Sequence, residues 1–593
     1  MNANPAPVAM TAAEILLDHL RLEGVTHLFG VPGAGIAFLL RRLRQRTDFK
    51  YIVCRHETGA AFMADGFFRA TQIPGVVLVT SGPGATNALT GTMNADFGGS
   101  AVLTITGEVA QPYLGRGYLQ EGTDCGLNVR DIYAAATHYS VEIDSADGVV
   151  HLTQQALRSM LSIPRRAARI GIPNNVAADI PSTPAVMATD TKAYRALPMA
   201  APEEGVVRVL QVLLKAKRPV IMLGAGCREA FRCKETARAF RLLVEWLQIP
   251  VMTTSDGKGM FPETHDLSLG AYGFAGSQWP QYWLRTADGG QAHDALVVIG
   301  SSLGELATNC WNTMLLPNGP FLQVDINPGI IGRGFPVTEG IIAEAGALMR
   351  RLWEMASGVA RDEQAVLARR DAVATLKAGN PRFVSATDYL STGSPLQPAA
   401  LCRILNELLP DEAMIFCDSG NCVGWGLHYL VIREKQEWHS ALAMGTMGFG
   451  VCASIGARLG NPNRLCVALV GDGAVLMHAG EISTASANGI GVIWIVLADN
   501  NLNMVAQGMS HVFPSDENYK ETYRLGSNDL VKMAQALGAD AVEISTPADL
   551  LASWQHIKAG AEAGRPQMVV ARIAADAAPP YWDPPYWPVQ PHR

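Results

Sequence analysis

The chain has 593 residues, 48% of them hydrophobic and 17% charged. That is ample for several buried cores and suggests about three domains. Its formal net charge of -7 comes with no long basic block, which argues against a nucleic-acid partner. The densest basic run, Arg41 to Arg46, reads as the solvated end of a helix. No run approaches the roughly 20 apolar residues needed to span a bilayer. The first basic side chain is Arg21, so no charged n-region of a signal peptide precedes an apolar stretch. The ten cysteines form no CxxC pair and no zinc-like spacing. Reduced, mostly buried thiols and a cytoplasmic location are the expectation.

Three stretches alternate short β-rich runs with helical patterns, which predicts an α/β fold class: three domains with parallel sheets flanked by helices. The first, residues 1–185, has strand candidates in THLFGV, YIVCR, GVVLVTS and AVLTITG. A helical pattern runs from His56 to Ala70. IPSTPAVMATDT then reads as a linker. The second, residues 200–358, has PVIMLGAG, PVMTT, ALVVIGSSLG and FLQVDINP. A charged segment from Ala360 to Pro395 reads as a linker containing a helix. The third, residues 390–575, has AMIFCD, LCVALVGD, GVIWIVLAD and QMVVARI. Residues 576–593 form a Pro/aromatic tail, expected to pack on the surface, with a lid over the site as the alternative. The first and third stretches are compatible with two copies of one architecture.

The chemistry concentrates in LCVALVGDGAVLMHAGEISTASANGIGVIWIVLADNNLNMV. An apolar strand ends in Gly471-Asp472-Gly473, a helix follows from Ala474 to Ala487, and a second apolar strand ends in Asp499-Asn500-Asn501. A right-handed crossover puts both strand ends on one sheet edge, where open α/β sheets bind ligands. The glycines let backbone approach a ligand, and amides opening a helix suit a phosphate. Two carboxylates and an amide carbonyl are hard oxygen ligands for Mg²⁺, which prefers to keep phosphate oxygens as well. The residues therefore point to a Mg-diphosphate site.

This segment resembles the fingerprint of the thiamine-diphosphate-dependent enzymes: GDG, some two dozen residues, then paired Asn. The resemblance implies Mg²⁺ held by Asp472, Asp499 and the Asn501 carbonyl. Asp499 stands where Asn is usual, and Asn500 is the alternative if the register slips by one. The likeness covers nearly the whole chain and is nearest to the acetolactate synthase group. Tyr51 to Asn87, YIVCRHETGAAFMADGFFRATQIPGVVLVTSGPGATN, resembles that group's pyrimidine-binding domain and implies Glu57 as the catalytic glutamate. A carboxyl hydrogen-bonded to ring N1′ favours the imino tautomer, which deprotonates thiazolium C2. AMGTMGFG resembles the group's GTMG segment and implies Met447 as the prop for the cofactor and Gly445 as a carbonyl acceptor. Asp418 to Asn421, DSGN, aligns with the diphosphate loop and implicates Gly420 and Asn421. Gly471, Gly473, Ala474 and Met504 complete the implied cofactor contacts.

On the substrate side, LGRGYLQE resembles the group's IGTDAFQE and carries over Gly115 and Gln120, with Leu119 replacing the usual Phe. Asn87 and Pro83 shape the neighbouring loop, with a helix cap as the alternative role of Asn87. Two departures bear on substrate. Gly508 stands where the group has a Trp, and IGSSLGELATN lacks the central-domain Arg. The GAG at Gly224 to Gly226 lacks the third glycine of a dinucleotide fingerprint, so FAD is not favoured. The resemblance implies a carboligase that decarboxylates a 2-keto acid such as pyruvate and couples the product to a second carbonyl. Alternatives are a decarboxylase or C–C lyase without coupling, or a non-catalytic regulatory protein. It also implies a homodimer or homotetramer, with Glu57 and Asp472 of one site from different chains.

Overall fold

The structure, a computed structural model, describes residues 10–124, 127–183, 186–196, 199–515 and 519–581. Three six-stranded, wholly parallel sheets organise it, each sandwiched between helices. Counted along the chain, the strands of the N-terminal sheet lie in the order 2-1-3-4-6-5, and those of the C-terminal sheet follow the same order. The two outer domains therefore are copies of one architecture. The central sheet runs 3-2-1-4-5-6, the doubly wound arrangement.

The strands read from sequence all form, because each is a short, nearly continuous apolar run of the kind a two-sided parallel sheet buries. Six further strands escape that reading: Tyr139–Glu142, Ala168–Pro173, Ser268–Tyr272, Glu339–Ile342, Glu437–Ser440 and Asp540–Ile544. Five of them are sheet edges. Tyr139–Glu142, Glu339–Ile342 and Asp540–Ile544 are only partly buried, so they carry no strong apolar signal.

The outer domains meet through two helices, Glu57–Thr71 and Phe449–Gly460. The first is buried nearly all round and is capped by His56, whose ring accepts from the Thr58 amide. The second is rich in small residues. A Cβ on Gly66 would sit 1.9 Å from the Ala453 carbonyl oxygen, and one on Gly456 would sit 1.8 Å from that of Met63. Backbone thus lies on backbone. Phe62 stacks edge-on against Phe449 at 6.0 Å, which brings the N-terminal ends of both helices to the same side. A polar chain runs alongside. Arg69 Nε donates to Asp65 at 2.7 Å, Asn94 Nδ2 donates to the same carboxylate at 3.1 Å, and Thr446 Oγ1 donates to Asn94 at 2.7 Å.

The central domain is tied to the C-terminal one by Lys258, which is 1% exposed and donates to both Glu263 oxygens and to the Leu427 carbonyl. Its GAG turn is explained by packing. A Cβ on Gly224 would lie 2.2 Å from the Gly300 carbonyl oxygen, and the Gly226 amide donates to that oxygen at 2.9 Å. The Ala360–Pro395 segment contains the helix Glu363–Gly379. Among the described residues no helix is long and apolar enough to cross a membrane. Of the nine described cysteines seven are buried.

Gly456→Val is expected to lower stability by about 1–3 kcal/mol or more, because the added methyls meet backbone that cannot rotate away. Gly379→Ala, where nothing lies within 4 Å of the new Cβ, is expected to be neutral or slightly stabilising. Urea unfolding midpoints of the two variants check the contrast.

Candidate active site

The strands Cys466–Gly471 and Ile493–Ala498 pair in parallel, with Gly471 opposite Leu497. Both therefore end at one level of the sheet edge. Asp472 opens the helix Asp472–His478 and stitches the two ends together. Its Oδ1 accepts from the Gly473 amide at 2.8 Å, and its Oδ2 accepts from the Asp499 and Asn500 amides at 3.1 and 2.7 Å. Asp499 in turn accepts from the Asn501 amide at 3.1 Å and from Asn503 Nδ2 at 2.9 Å. Asn500 takes a left-handed φ of 61° to make the turn.

Burial pushes both carboxyls above the ordinary range. For Asp499 the nearby charge of Asp472 adds to burial and carries it up to about 6. A buried Asp472 that raises the proton affinity of the half-buried Asp499 makes a site short of positive charge, which suits a divalent cation. Among the described residues no cluster of three or more His, Cys, Asp or Glu is arranged to hold a metal alone. A cation here needs the Asn501 carbonyl and ligand oxygens as well.

Around this edge the structure gathers the other implied cofactor contacts. A Cβ on Gly473 would meet the Met447 methyl at 3.1 Å and Leu502 at 2.7 Å, whereas Gly471 faces open space. Gly445 and Gly420 adopt φ of 76° and 125°, conformations that favour glycine. Ala474 lies in the first turn of the Asp472 helix. Asn421 donates to Gln507 at 3.0 Å and accepts from the Tyr581 hydroxyl. Met504 packs, partly buried, on the C-terminal core.

Glu57 belongs to a second group. It is 8% exposed and its Oε2 accepts from Asn87 Nδ2 at 3.0 Å. Its Oε1 faces Gly84. Asn87 lies inside the helix Pro83–Phe97, so it orients a carboxylate and caps nothing. Gln120 has a left-handed φ of 63°, and its backbone rests on Gly82, 3.0 Å from the position of a Cβ there. Gly115 has φ 72° and donates its amide to Glu121. Both lie exposed on the loop between residues 109 and 122, and Leu119 is 81% exposed.

Several residues that the sequence reading left out hold these groups in place. Asp418, 1% exposed, accepts from the amides of Gly448, Gly450 and Val451 at 2.8, 2.7 and 3.3 Å, which fixes the turn carrying Met447. Glu481 accepts from the Arg55 and His56 amides at 3.0 and 2.9 Å, joining the start of the Glu57 helix to the segment that follows Asp472. His478 packs under Gly448 and edge-on to Phe62 at 5.6 Å. The predicted single helix from Ala474 to Ala487 is in fact two, Asp472–His478 and Gly480–Ala487, which aims Glu481 across the domain boundary. The beginning of the tail also differs from a loose surface segment. Tyr581 is 3% exposed, stacks on Phe274 at 4.4 Å and donates to Asn421. The Ala577 carbonyl accepts from Gln507 at 3.0 Å. Residues 582–593 of the tail lie outside the described residues.

Three segments of the chain match models of one known protein family. Residues 10–127 match the N-terminal TPP binding domain of thiamine pyrophosphate enzymes, residues 206–352 their central domain, and residues 418–571 their C-terminal TPP binding domain. The chain belongs to the thiamine pyrophosphate enzyme family. It is 31% identical to the putative acetolactate synthase large subunit IlvB2 of Mycobacterium tuberculosis, over 92% of this chain and 95% of that one. It is 30% identical to the acetolactate synthase isozyme 1 large subunit of Escherichia coli, over 96% and 94%. The probable acetolactate synthase large subunit of Methanocaldococcus jannaschii is 28% identical, over 91% and 88%.

In this thiamine pyrophosphate enzyme Asp418 is the support of the Met447 turn. Asp418→Ala is expected to cost at least about 3 kcal/mol, because it strands several buried amides at about 1–3 kcal/mol each. Asp418→Asn, which keeps one acceptor oxygen, is expected to lose less. Chemical denaturation of the two variants measures the difference.

Proposed function

We propose that this enzyme uses thiamine diphosphate and Mg²⁺ as a carboligase, decarboxylating a 2-keto acid such as pyruvate and joining the remainder to a second carbonyl compound. The observation that carries the reading is the Asp472–Asp499 carboxylate pair at one strand-end level, with Met447 packed against Gly473 beside it. The names of the relatives point the same way. Asp472, Asp499 and the Asn501 carbonyl would hold Mg²⁺. Gly420, Asn421, Gly471, Gly473 and Ala474 would take the diphosphate, and Gly445 and Met447 the rings, with Met504 alongside. Bound thiamine diphosphate supplies an electron sink for the decarboxylation.

Glu57 would exchange a proton with the aminopyrimidine ring nitrogen through Oε1, since Oε2 is already engaged by Asn87. Asn87 therefore fixes which carboxylate oxygen is free. Gly115 and Gln120 would face the substrate. Their exposure in one chain, with Leu119 beside them, supports completion of the site by a second subunit in a homodimer or homotetramer. Gly508 is buried in the helix Asn503–Val512 at the position where the resemblance places a Trp, so the surroundings of the second carbonyl compound differ there from those of the acetolactate synthase group.

Products formed from pyruvate, with and without added aldehydes and 2-keto acids, test the reaction. Coupled 2-hydroxy ketones or acetohydroxy acids are expected, and free aldehyde with CO2 as sole products from every acceptor would refute carboligation. Asp472→Ala is expected to weaken Mg-dependent binding of thiamine diphosphate, read by calorimetry, by at least the roughly 10–100-fold seen when a metal ligand's support is lost. Glu57→Gln is expected to slow hydrogen–deuterium exchange at C2 of the bound cofactor by about 10²–10⁴-fold. Asn87→Ala, which removes one charge-assisted hydrogen bond worth about 1.5–3 kcal/mol, is expected to slow the same exchange by less.

A further inference from the structure

Asp499 follows the strand Ile493–Ala498, and each of its polar groups has a partner. Its amide donates to Asp472 Oδ2. Its carbonyl accepts from Asn501 Nδ2 at 2.7 Å, and its Oδ1 accepts from the Asn501 amide. The remaining carboxylate oxygen, Oδ2, accepts from Asn503 Nδ2 at 2.9 Å. That same nitrogen donates at 2.8 Å to the carbonyl of Ala575, 72 residues away in sequence.

A primary amide nitrogen carries two hydrogens, and Asn503 uses both. Its two partners only accept, so they also decide which end of the amide is the nitrogen. The side chain does not serve its own helix. Asn503 opens the helix Asn503–Val512, whose cap position is held by Leu502 without a side-chain bond. Nor does the Ala575 carbonyl hang free. The Ala574 amide donates to the Leu396 carbonyl at 3.2 Å, and the Ala577 carbonyl accepts from Gln507 at 3.0 Å. The Tyr581 ring packs over Gly424, where a Cβ would lie 2.3 Å from it.

The backbone carbonyls of the turn point to the same place. The Asn500 carbonyl accepts from the Leu525 amide at 2.9 Å, and the Leu502 carbonyl accepts from the Val505 and Ala506 amides at 3.1 Å each. Among the described residues no donor meets the Asn501 carbonyl between them. A carboxylate has about four acceptor positions. One donor on each oxygen of Asp499 therefore fixes its plane and leaves both oxygens able to take a further partner.

We propose that Asn503 is a positioning residue for the cation site: it holds the Asp499 carboxylate ready for a divalent cation, and the Ala575 carbonyl holds Asn503 in turn. The proposal rests on the assignment of Asp499 as a cation ligand in the preceding subsection. The Asp at this position suits the device. An amide there would have one acceptor oxygen in place of two, and its own NH2 would face either the Asn501 amide or Asn503 Nδ2.

The probe is Mn²⁺, followed by electron paramagnetic resonance of the free ion with enzyme saturated with thiamine diphosphate. Asn503→Ala is expected to weaken Mn²⁺ binding by about 10–100-fold, as when a metal ligand loses its support. Alanine is the better helix former, so the urea midpoint of the metal-free chain is expected to stay at the wild-type value. Asn503→Gln, which keeps the amide, is expected to recover part of the affinity. Equal loss in both variants with a lowered midpoint overturns the proposal, since it marks a residue that merely supports the fold. Wild-type affinity in Asn503→Ala, beside lost binding in Asp499→Ala, also overturns it and leaves the functional reading standing. Mn²⁺ binding that is absent from wild-type enzyme, or unchanged in Asp499→Ala, sinks both.

Discussion

Backbone-to-backbone contact at Gly66 and Gly456 is the constraint from which the arrangement of the outer domains follows. Any side chain at either position would push the Glu57–Thr71 and Phe449–Gly460 helices apart. Their close crossing sets the N-terminal sheet at a fixed distance from the C-terminal one. It also brings the cap of one helix and the Met447 turn of the other to the same end. The polar chain from Arg69 through Asp65 and Asn94 to Thr446 then fixes rotation about that contact. Buried ionic and amide groups of this kind add little net stability but penalise other registers.

Carboxylates do the remaining positioning, and they do it mostly through backbone amides. Asp418 gathers the Met447 turn, Asp472 gathers two strand ends, and Glu481 gathers the start of the Glu57 helix. Each satisfies N–H groups that a ligand-binding edge, by its nature, leaves outside the sheet ladder. Concentrating negative charge there has a cost in desolvation. The raised proton affinity of Asp472 and Asp499 is its visible sign, and it makes the edge receptive to a cation.

The sequence revealed the interior strands, the three-domain plan and the Gly471–Asn501 edge, because apolar strands closed by Gly and Asp announce themselves locally. Glu57 was legible through the motif around it. The edge strands were not, since a half-covered strand such as Asp540–Ile544 needs few apolar residues. Asp418 and Glu481 were missed for a different reason. Their partners are amides tens or hundreds of residues away, and an amide has no sequence signature. The split of one predicted helix at Ala479 was likewise invisible, although the unpatterned His-Ala-Gly there marks it in hindsight.

Asn421 is shared. Its side-chain nitrogen donates to Gln507 beside the loop proposed to take the diphosphate, while its carbonyl oxygen holds the Tyr581 hydroxyl, on a ring stacked against Phe274 of the central domain. Linkage makes this reciprocal. Whatever free energy a ligand of that loop gains or loses by reorienting Asn421 must reappear, with equal magnitude, in the docking of the chain's own C-terminal segment. The segment carrying Tyr581 is thereby coupled to the proposed site, and a spectroscopic label near Tyr581 would sense occupancy there.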